Sequence, residues 1–294
     1  MLPRFDIYRP KSLEDALEFL DKHSGEAKPL AGGTELIILI RDRRIPIPKY
    51  LVDLNAIKKE LSFVEKKDDG IHIGGGTTLY ELSKTFLHKD KRFAGFVDVY
   101  KKFGTLALRF EATVAGNLVS ATQYNDYITL LLVYDAKLRL VSVNGERIVK
   151  LEDFLIDKRK VDLKPNELIY EIIFPEPPIN SSSSFIKFDR RELLIAGVVT
   201  GATFLALEDN KITDVKISFD MVREKRIPGR ARKTEEFLKG KEFSKEILEK
   251  AAEEVLPTEM ERVTDWWTTA EYRMDMSKVV LKRNLLRAYE RIKG

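Results

Sequence analysis

Lys28-Pro29-Leu30-Ala31-Gly32-Gly33-Thr34-Glu35-Leu36 is the stretch from which the architecture can be read. A short strand, Lys28 to Leu30, delivers the chain into a glycine loop, and Glu35 to Arg41 can continue as a helix starting at that loop. A second loop, Ala112-Thr113-Val114-Ala115-Gly116-Asn117-Leu118, repeats the combination of glycine with a hydroxyl residue. Glycine reaches φ > 0 freely and has no side chain to block a ligand, so such loops can aim several backbone N–H groups at one anion. A diphosphate is the anion best matched to two of them. Neither loop fits the G-x-G-x-x-G dinucleotide fingerprint or carries a Walker lysine, so a dinucleotide here needs another scaffold. Taken alone, Gly32-Gly33 and Gly116-Asn117 can also be ordinary turns. Gly74-Gly75-Gly76 reads as a tight turn rather than a ligand loop.

Around the first loop the pattern is a small α/β unit. Phe5 to Tyr8 is a strand, Ser12-Leu13-Glu14-Asp15 resembles a capping box, Leu13, Ala16, Leu17 and Leu20 recur at helical spacing, and Leu51 to Leu54 is another strand. A second unit holds a hairpin at 61–66 and 70–74, helices at 79–86 and 126–134, a strand at 137–142 followed by an Asn144-Gly145 turn, and a strand at 167–174. Pro175-Glu176-Pro177-Pro178 and the run Ser181 to Ser184 read as a linker. Strands at 185–188, 198–207 and 212–220, then helices at 234–238, 244–256 and 276–292, make an α+β unit. The expected division is therefore 1–55, 56–177 and 178–294.

Composition narrows the function. The chain has 294 residues, of which 33% are charged, yet its net charge is only +4. Nucleic-acid binders gather basic residues on one face, and no basic run is present. With no cysteine, this chain cannot hold disulfides, zinc–thiolate sites or iron–sulfur clusters. His23, His72 and His88 are too scattered for a metal site. The abundance of Lys, Arg and Glu with a single glutamine, Gln123, is that of a thermophile's protein. No apolar run reaches the length of a transmembrane helix and no signal core is visible, so a cytoplasmic location is expected.

The ordered set of motifs resembles a family, the FAD-binding medium subunits of molybdenum hydroxylases, which includes the flavoproteins of aerobic carbon monoxide dehydrogenase and xanthine dehydrogenase. Ala31-Gly32-Gly33-Thr34-Glu35-Leu36 is similar to its first flavin loop and Arg109 to Leu118 to its second, with Ala115 where the family usually has glycine. Asp126 matches the following aspartate, and Lys187-Phe188-Asp189-Arg190-Arg191 with Ile195-Ala196 a later signature. Arg226-Ile227-Pro228-Gly229-Arg230-Ala231 and Tyr272-Arg273 also fit. The resemblance implies an α+β fold: a two-lobed FAD-binding domain of the vanillyl-alcohol-oxidase type and a small α+β C-terminal domain. It implies that Gly32, Gly33 and Thr34 hold the pyrophosphate, with Ala31, Glu35 and Leu36 completing the loop. Thr113, Gly116 and Asn117 would close on the diphosphate or ribityl chain, Asp126 would accept from flavin hydroxyls, and Lys187 would approach the ring as a cation.

The cofactor implied for this chain is FAD. The molybdenum cofactor and iron–sulfur clusters are implied for two partners, a large and a small subunit, in a dimer of heterotrimers. Electrons would enter from the clusters and leave to a quinone, NAD or oxygen. Alternatives are a self-contained flavin oxidoreductase with its own substrate pocket, and a scaffold subunit without flavin. Asp126 can also cap its own helix, Lys187 can be a solvated strand residue, and Trp266-Trp267 reads as packing.

Overall fold

The computed structural model of the chain describes residues 2–191, 196–220, 227–265 and 268–294. Strands β1 (Asp6–Tyr8), β2 (Ala27–Leu30) and β3 (Tyr50–Asp53) form a parallel sheet in the order β1-β3-β2. Helices α1 (Leu13–Lys22) and α2 (Leu36–Arg41) connect them. Ser12 caps α1 by accepting from the Asp15 N–H at 3.1 Å. The Asp15 carboxylate accepts from Tyr8 Oη and the Lys11 N–H instead of closing the box, which ties β1 to the helix. Buried Ala16, Leu17 and Leu20 pack this unit on Val52 and Leu168.

The second unit begins with α3 (Lys58–Leu61), β4 (Val64–Lys67), β5 (Gly70–Gly74) and α4 (Leu79–Leu82). Four helices follow: α5 (Ala94–Lys102), α6 (Leu106–Glu111), α7 (Val114–Ser120) and α8 (Asp126–Leu132). It ends with β6 (Lys137–Ser142), β7 (Gly145–Lys150), α9 (Leu151–Phe154), the small hairpin β8 (Leu155–Asp157) and β9 (Lys160–Val161), and β10 (Leu168–Phe174). Its sheet is antiparallel in the order β4-β5-β10-β6-β7. The helix expected over 79–86 stops at Leu82, where the hydroxyls of Ser83 and Thr85 donate to the Tyr80 and Leu82 carbonyls at 2.6 and 2.8 Å. Helix α8 is buried on every side. The glycine run at 74–76 makes the expected turn, closed by the Thr77 N–H donating to Gly74 O at 3.0 Å. None of the three has positive φ. A Cβ on Gly74 would lie 2.4 Å from Leu61 O, and one on Gly75 2.2 Å from Ile169 O, so the run permits close backbone packing.

The third unit is an antiparallel sheet, β11 (Ser181–Phe188), β12 (Val199–Glu208), β13 (Lys211–Phe219) and β14 (Gly229–Arg230), in that order. Helices α10 (Arg232–Leu238), α11 (Lys245–Lys250) and α12 (Ala270–Lys293) pack with it around Leu205, Ile217 and Leu281. Helix α12 starts six residues earlier than its apolar spacing implies, because Thr269 caps it.

The serine run corrects the linker reading. Ser181 to Ser184 are buried strand residues of β11. Ser183 Oγ accepts from the Gly95 N–H at 2.8 Å and from Tyr134 Oη at 2.7 Å. Ser182 Oγ donates to Lys91 O at 2.6 Å, and Ser184 Oγ to Asn284 Oδ1 at 2.8 Å. Hydroxyls in sequence read as solvated turn, but here each finds a partner across a packed seam, which is the condition for burying it. Asp98 on α5 completes the seam, accepting from Phe185 N–H and from the Arg291 guanidinium of α12. Replacing Ser183 by Ala leaves the Gly95 donor and the Tyr134 hydroxyl with a lost partner in a buried site. We expect Ser183→Ala to lower stability by about 1–3 kcal/mol in urea unfolding; an unchanged midpoint would show that the seam does not depend on this hydroxyl.

Candidate functional site

The first glycine loop leaves β2 and enters α2, and its residues 31–36 are all half-buried. Gly33 has φ +66°, a conformation that favours glycine. Gly32 is demanded by proximity: a Cβ there would lie 1.7 Å from Glu111 O. That approach presses the first loop against the end of α6 and the start of the second loop. Among the described residues, the N–H groups from Gly32 to Leu36 donate to no protein acceptor. They form a run of available backbone donors at the start of a helix, the arrangement that receives an anion.

The second loop is not an equivalent nest. The Val114 N–H donates to Thr77 O at 3.0 Å, Ala115 N–H to Gly75 O at 3.4 Å, Gly116 N–H to Thr113 Oγ1 at 3.1 Å, and Asn117 N–H to Thr113 O at 3.1 Å. Thr113 caps α7, so its hydroxyl is already engaged. The Asn117 Oδ1 is the exception, buried with no hydrogen-bond partner. Ala115, which replaces a glycine of the resemblance, points inward: a Cβ on Gly75 would lie 3.3 Å from its methyl group.

A chain of contacts leads from the loops to the remaining candidates. The Glu35 carboxylate meets Ser120 Oγ at 3.3 Å and pairs with Arg159 of the β8–β9 hairpin. Asn125 Nδ2 reaches the same Ser120 hydroxyl at 3.3 Å, while Asn125 Oδ1 accepts from the Thr122 N–H and hydroxyl at 2.7 Å each. Asn125, rather than Asp126, occupies the cap position of α8. Asp126 Oδ2 is instead 3.1 Å from Lys187 Nζ, and both side chains are buried. The two residues assigned separate contacts with a ligand thus form one ion pair across the seam. Burial pushes the Asp126 carboxyl up, against the opposing pull of Lys187. Ser120, Asn125 and Arg159 gave no signal in the sequence; Asn125 stands at the cap position of α8, but its side chain makes no capping bond and holds Thr122 instead.

Next to Lys187 lies a polar cavity with room for about one water molecule, lined by Gln123, Tyr124, Gly197, Asp220, Asp265 and Arg273. Asp220 is 2% exposed. Its Oδ1 and the Gln123 Oε1 are buried without partners. Burial raises the Asp220 carboxyl to about 7, although Thr200 donates to it and Arg273 attracts its anion. An open cleft lined by Phe188, Val198, Thr269 and Tyr272 adjoins the cavity. Residues Ile195, Arg226, Trp266 and Trp267, named in the sequence reading, lie outside the described residues.

Two family models cover nearly the whole chain. "FAD binding domain in molybdopterin dehydrogenase" matches residues 3–177, and "CO dehydrogenase flavoprotein C-terminal domain" matches residues 183–288. The chain belongs to this flavoprotein family. The carbon monoxide dehydrogenase medium chain of Afipia carboxidovorans is 30% identical, with 100% of each chain covered. The glyceraldehyde dehydrogenase medium chain of Sulfolobus acidocaldarius is 27% identical over 95% of this chain and 96% of its own. Xanthine dehydrogenase 1 of Arabidopsis thaliana is 31% identical over 83% of this chain, which spans only 18% of that much longer protein. A crystal structure of the Cu,Mo-CO dehydrogenase in its cyanide-inactivated form contains a chain that superposes with a TM-score of 0.90 at 28% identity, covering 99% of both chains.

The cofactor of this flavoprotein family is FAD. The site fits it: a run of available N–H donors suits a diphosphate, and the unpartnered Asn117 Oδ1 suits a hydroxyl or amine donor. Two outcomes follow. Gly32→Ala forces its Cβ into Glu111 O, and we expect about 1–3 kcal/mol or more of lost stability on thermal unfolding, since neither loop backbone can yield cheaply. Asp220 is raised in the folded state, so its contribution is present at acid pH and is lost as pH rises from about 4 through about 7. The stability of Asp220→Asn relative to the wild type should therefore increase between pH 5 and pH 8 by on the order of a few kcal/mol in urea unfolding. A difference independent of pH would mean that this carboxyl ionises alike in the folded and unfolded chains.

Proposed function

We propose that this chain is the electron-transfer subunit of a molybdenum hydroxylase complex, receiving electrons from an iron–sulfur small subunit and passing them to an external acceptor. The organic substrate is then oxidised at a molybdenum cofactor on a large subunit, and this chain, the small subunit and the large subunit assemble as a heterotrimer that dimerises. The reading carries a cytoplasmic location with it. When bound, FAD supplies the capacity to accept electrons and release them to the acceptor.

The supporting observation is the run of backbone donors from Gly32 to Leu36, held against the second loop by the missing Cβ of Gly32. In this reading Ala31, Gly32, Gly33, Thr34, Glu35 and Leu36 bind the diphosphate, their donors already oriented and requiring little reorganisation. Thr113 and Gly116 hold the second loop in shape, and Asn117 offers its side-chain oxygen. Arg159 offsets the Glu35 carboxylate, which would otherwise repel a diphosphate beside it. Lys187 presents a cation to the far end of the ligand, oriented by Asp126. The three-part division at 55 and 177 accords with each main sheet drawing its strands from one part.

The test is the visible absorption spectrum of the purified chain with mass analysis of the released cofactor. Flavin bands and released FAD are expected. Gly33→Val places a β-branched residue at φ +66° and should weaken FAD binding about tenfold or more. A colourless chain that does not take up added FAD would remove the proposal. For electron transfer, the holoprotein should co-purify with two partners and become reduced when the complex is given its organic substrate; a flavin that stays oxidised in such a complex would contradict the role.

A further inference from the structure

We propose that Asp220 is a proton-exchanging positioning residue of the flavin site, taking up one proton from solvent when negative charge is added beside Lys187 and releasing it when that charge leaves. The inference rests on the reading of this site as one that holds FAD, and it adds a residue that no part of the sequence resemblance pointed to.

The argument is a charge balance in the seam. Asp126 on α8 is paired with Lys187 on β11 at 3.1 Å. Arg273 on α12 is paired with Asp265 at 3.0 Å and also donates to Val198 O and Val263 O. Each of these cations therefore already has its own anion. Asp220, just past the end of β13, adds a third carboxyl to the same region; among the described residues no salt bridge is made to it, and its Oδ1 lacks a partner. The charged and titratable groups acting on it are Arg273, which favours its anion, and Asp126, which opposes it. Tyr124 and Asp265 line the same cavity. Among the described residues, an ionised Asp220 thus adds negative charge away from water beside two carboxylates already paired with Lys187 and Arg273, and protonating it removes that charge without breaking a pair. A carboxyl raised to about 7 by burial changes state near neutral pH.

The charge of Asp126, the partner of Lys187, reaches this carboxyl, and backbone contacts join the two places. A Cβ on Gly197, in the cavity wall, would lie 3.2 Å from Lys187 Cγ and 2.6 Å from Thr200 Oγ1, and Thr200 O accepts the Asp220 N–H at 3.0 Å. Negative charge arriving beside Lys187 competes with Asp126 for that cation. The region is then left with more carboxylate charge than its cations balance, and Asp220 becomes more basic. The electrons go to the ligand. The residue exchanges only a proton, its O–H bond forming on reduction and breaking on reoxidation, with no bond made to the ligand. Tyr124, 46% exposed at the cavity, gives the proton a route to water.

The experiment is a spectroelectrochemical titration of the FAD-loaded protein between pH 6 and 8.5, comparing wild type, Asp220→Asn and Asp220→Glu. In the wild type, the midpoint potential above about pH 7 should carry the slope of one extra proton per two electrons. Asp220→Asn should lose that extra proton while keeping its flavin bands, and Asp220→Glu should retain it with a shifted onset. A merely structural role would alter the potential or the melting temperature without altering the slope. The same slope in Asp220→Asn as in the wild type overturns the proton exchange alone. A wild-type chain that takes up no FAD overturns the flavin reading and this inference with it, an outcome visible from the spectrum before any titration.

Discussion

The seam made by the serine run of β11 is the constraint on which the rest depends. Four small side chains let α5 approach on one side and α12 on the other, and a Cβ on Gly95 would come within 3.0 Å of Ser183 Oγ. Larger side chains would separate the two halves, and apolar ones would leave the Gly95 donor, Lys91 O and Tyr134 Oη with lost partners. The same strand continues to Lys187. Once the serines are seated, the strand's register carries Lys187 to the end of α8 and hence to Asp126. The ion pair is a consequence of the seam, because a one-residue slip would turn Lys187 to the other face of the sheet.

The two glycine loops have different work. In the first, the missing Cβ of Gly32 allows contact with Glu111, and the N–H groups that follow stay available. In the second, the N–H groups are committed to Thr77, Gly75 and Thr113, so that loop is a rigid wall against which the first is set. Its unpartnered acceptor is a side-chain oxygen, that of Asn117. A site of this kind binds and orients, and the rigidity of the wall keeps the donors aimed. The family membership and the geometry therefore agree on a chain whose task is to hold a cofactor.

A chain with 33% charged residues and little net charge can bury ion pairs only where the geometry is closed. Arg230 donates to Leu132 O, Asp135 and Glu235 inside the protein. Arg291 bridges Asp98 and Ser183 O, and Arg273 bridges Asp265 and two carbonyls. Each joins segments far apart in sequence. Against that background of matched charges Asp220 stands out, since it is buried and, among the described residues, no salt bridge is made to it.

Local patterns were legible where one element dictates its own structure. The spacing of Leu13, Ala16, Leu17 and Leu20, the Asn144-Gly145 turn and the glycine loop at 32–33 can each be read from neighbours in the chain. The family likeness extended this to the α+β fold and its cofactor. Helix α8 offered no amphipathic stripe because it is buried all round, and the serine run read as linker because a hydroxyl's partner in space leaves no mark in sequence. The pairing of Asp126 with Lys187, the inward turn of Ala115 and the isolation of Asp220 were decided only by the tertiary structure. Sequence alone determined which residues could bend, cap or carry charge. Which of them met, and which were shut away from water, depended on contacts between residues far apart in the chain, since burial and pairing are properties of the assembled fold.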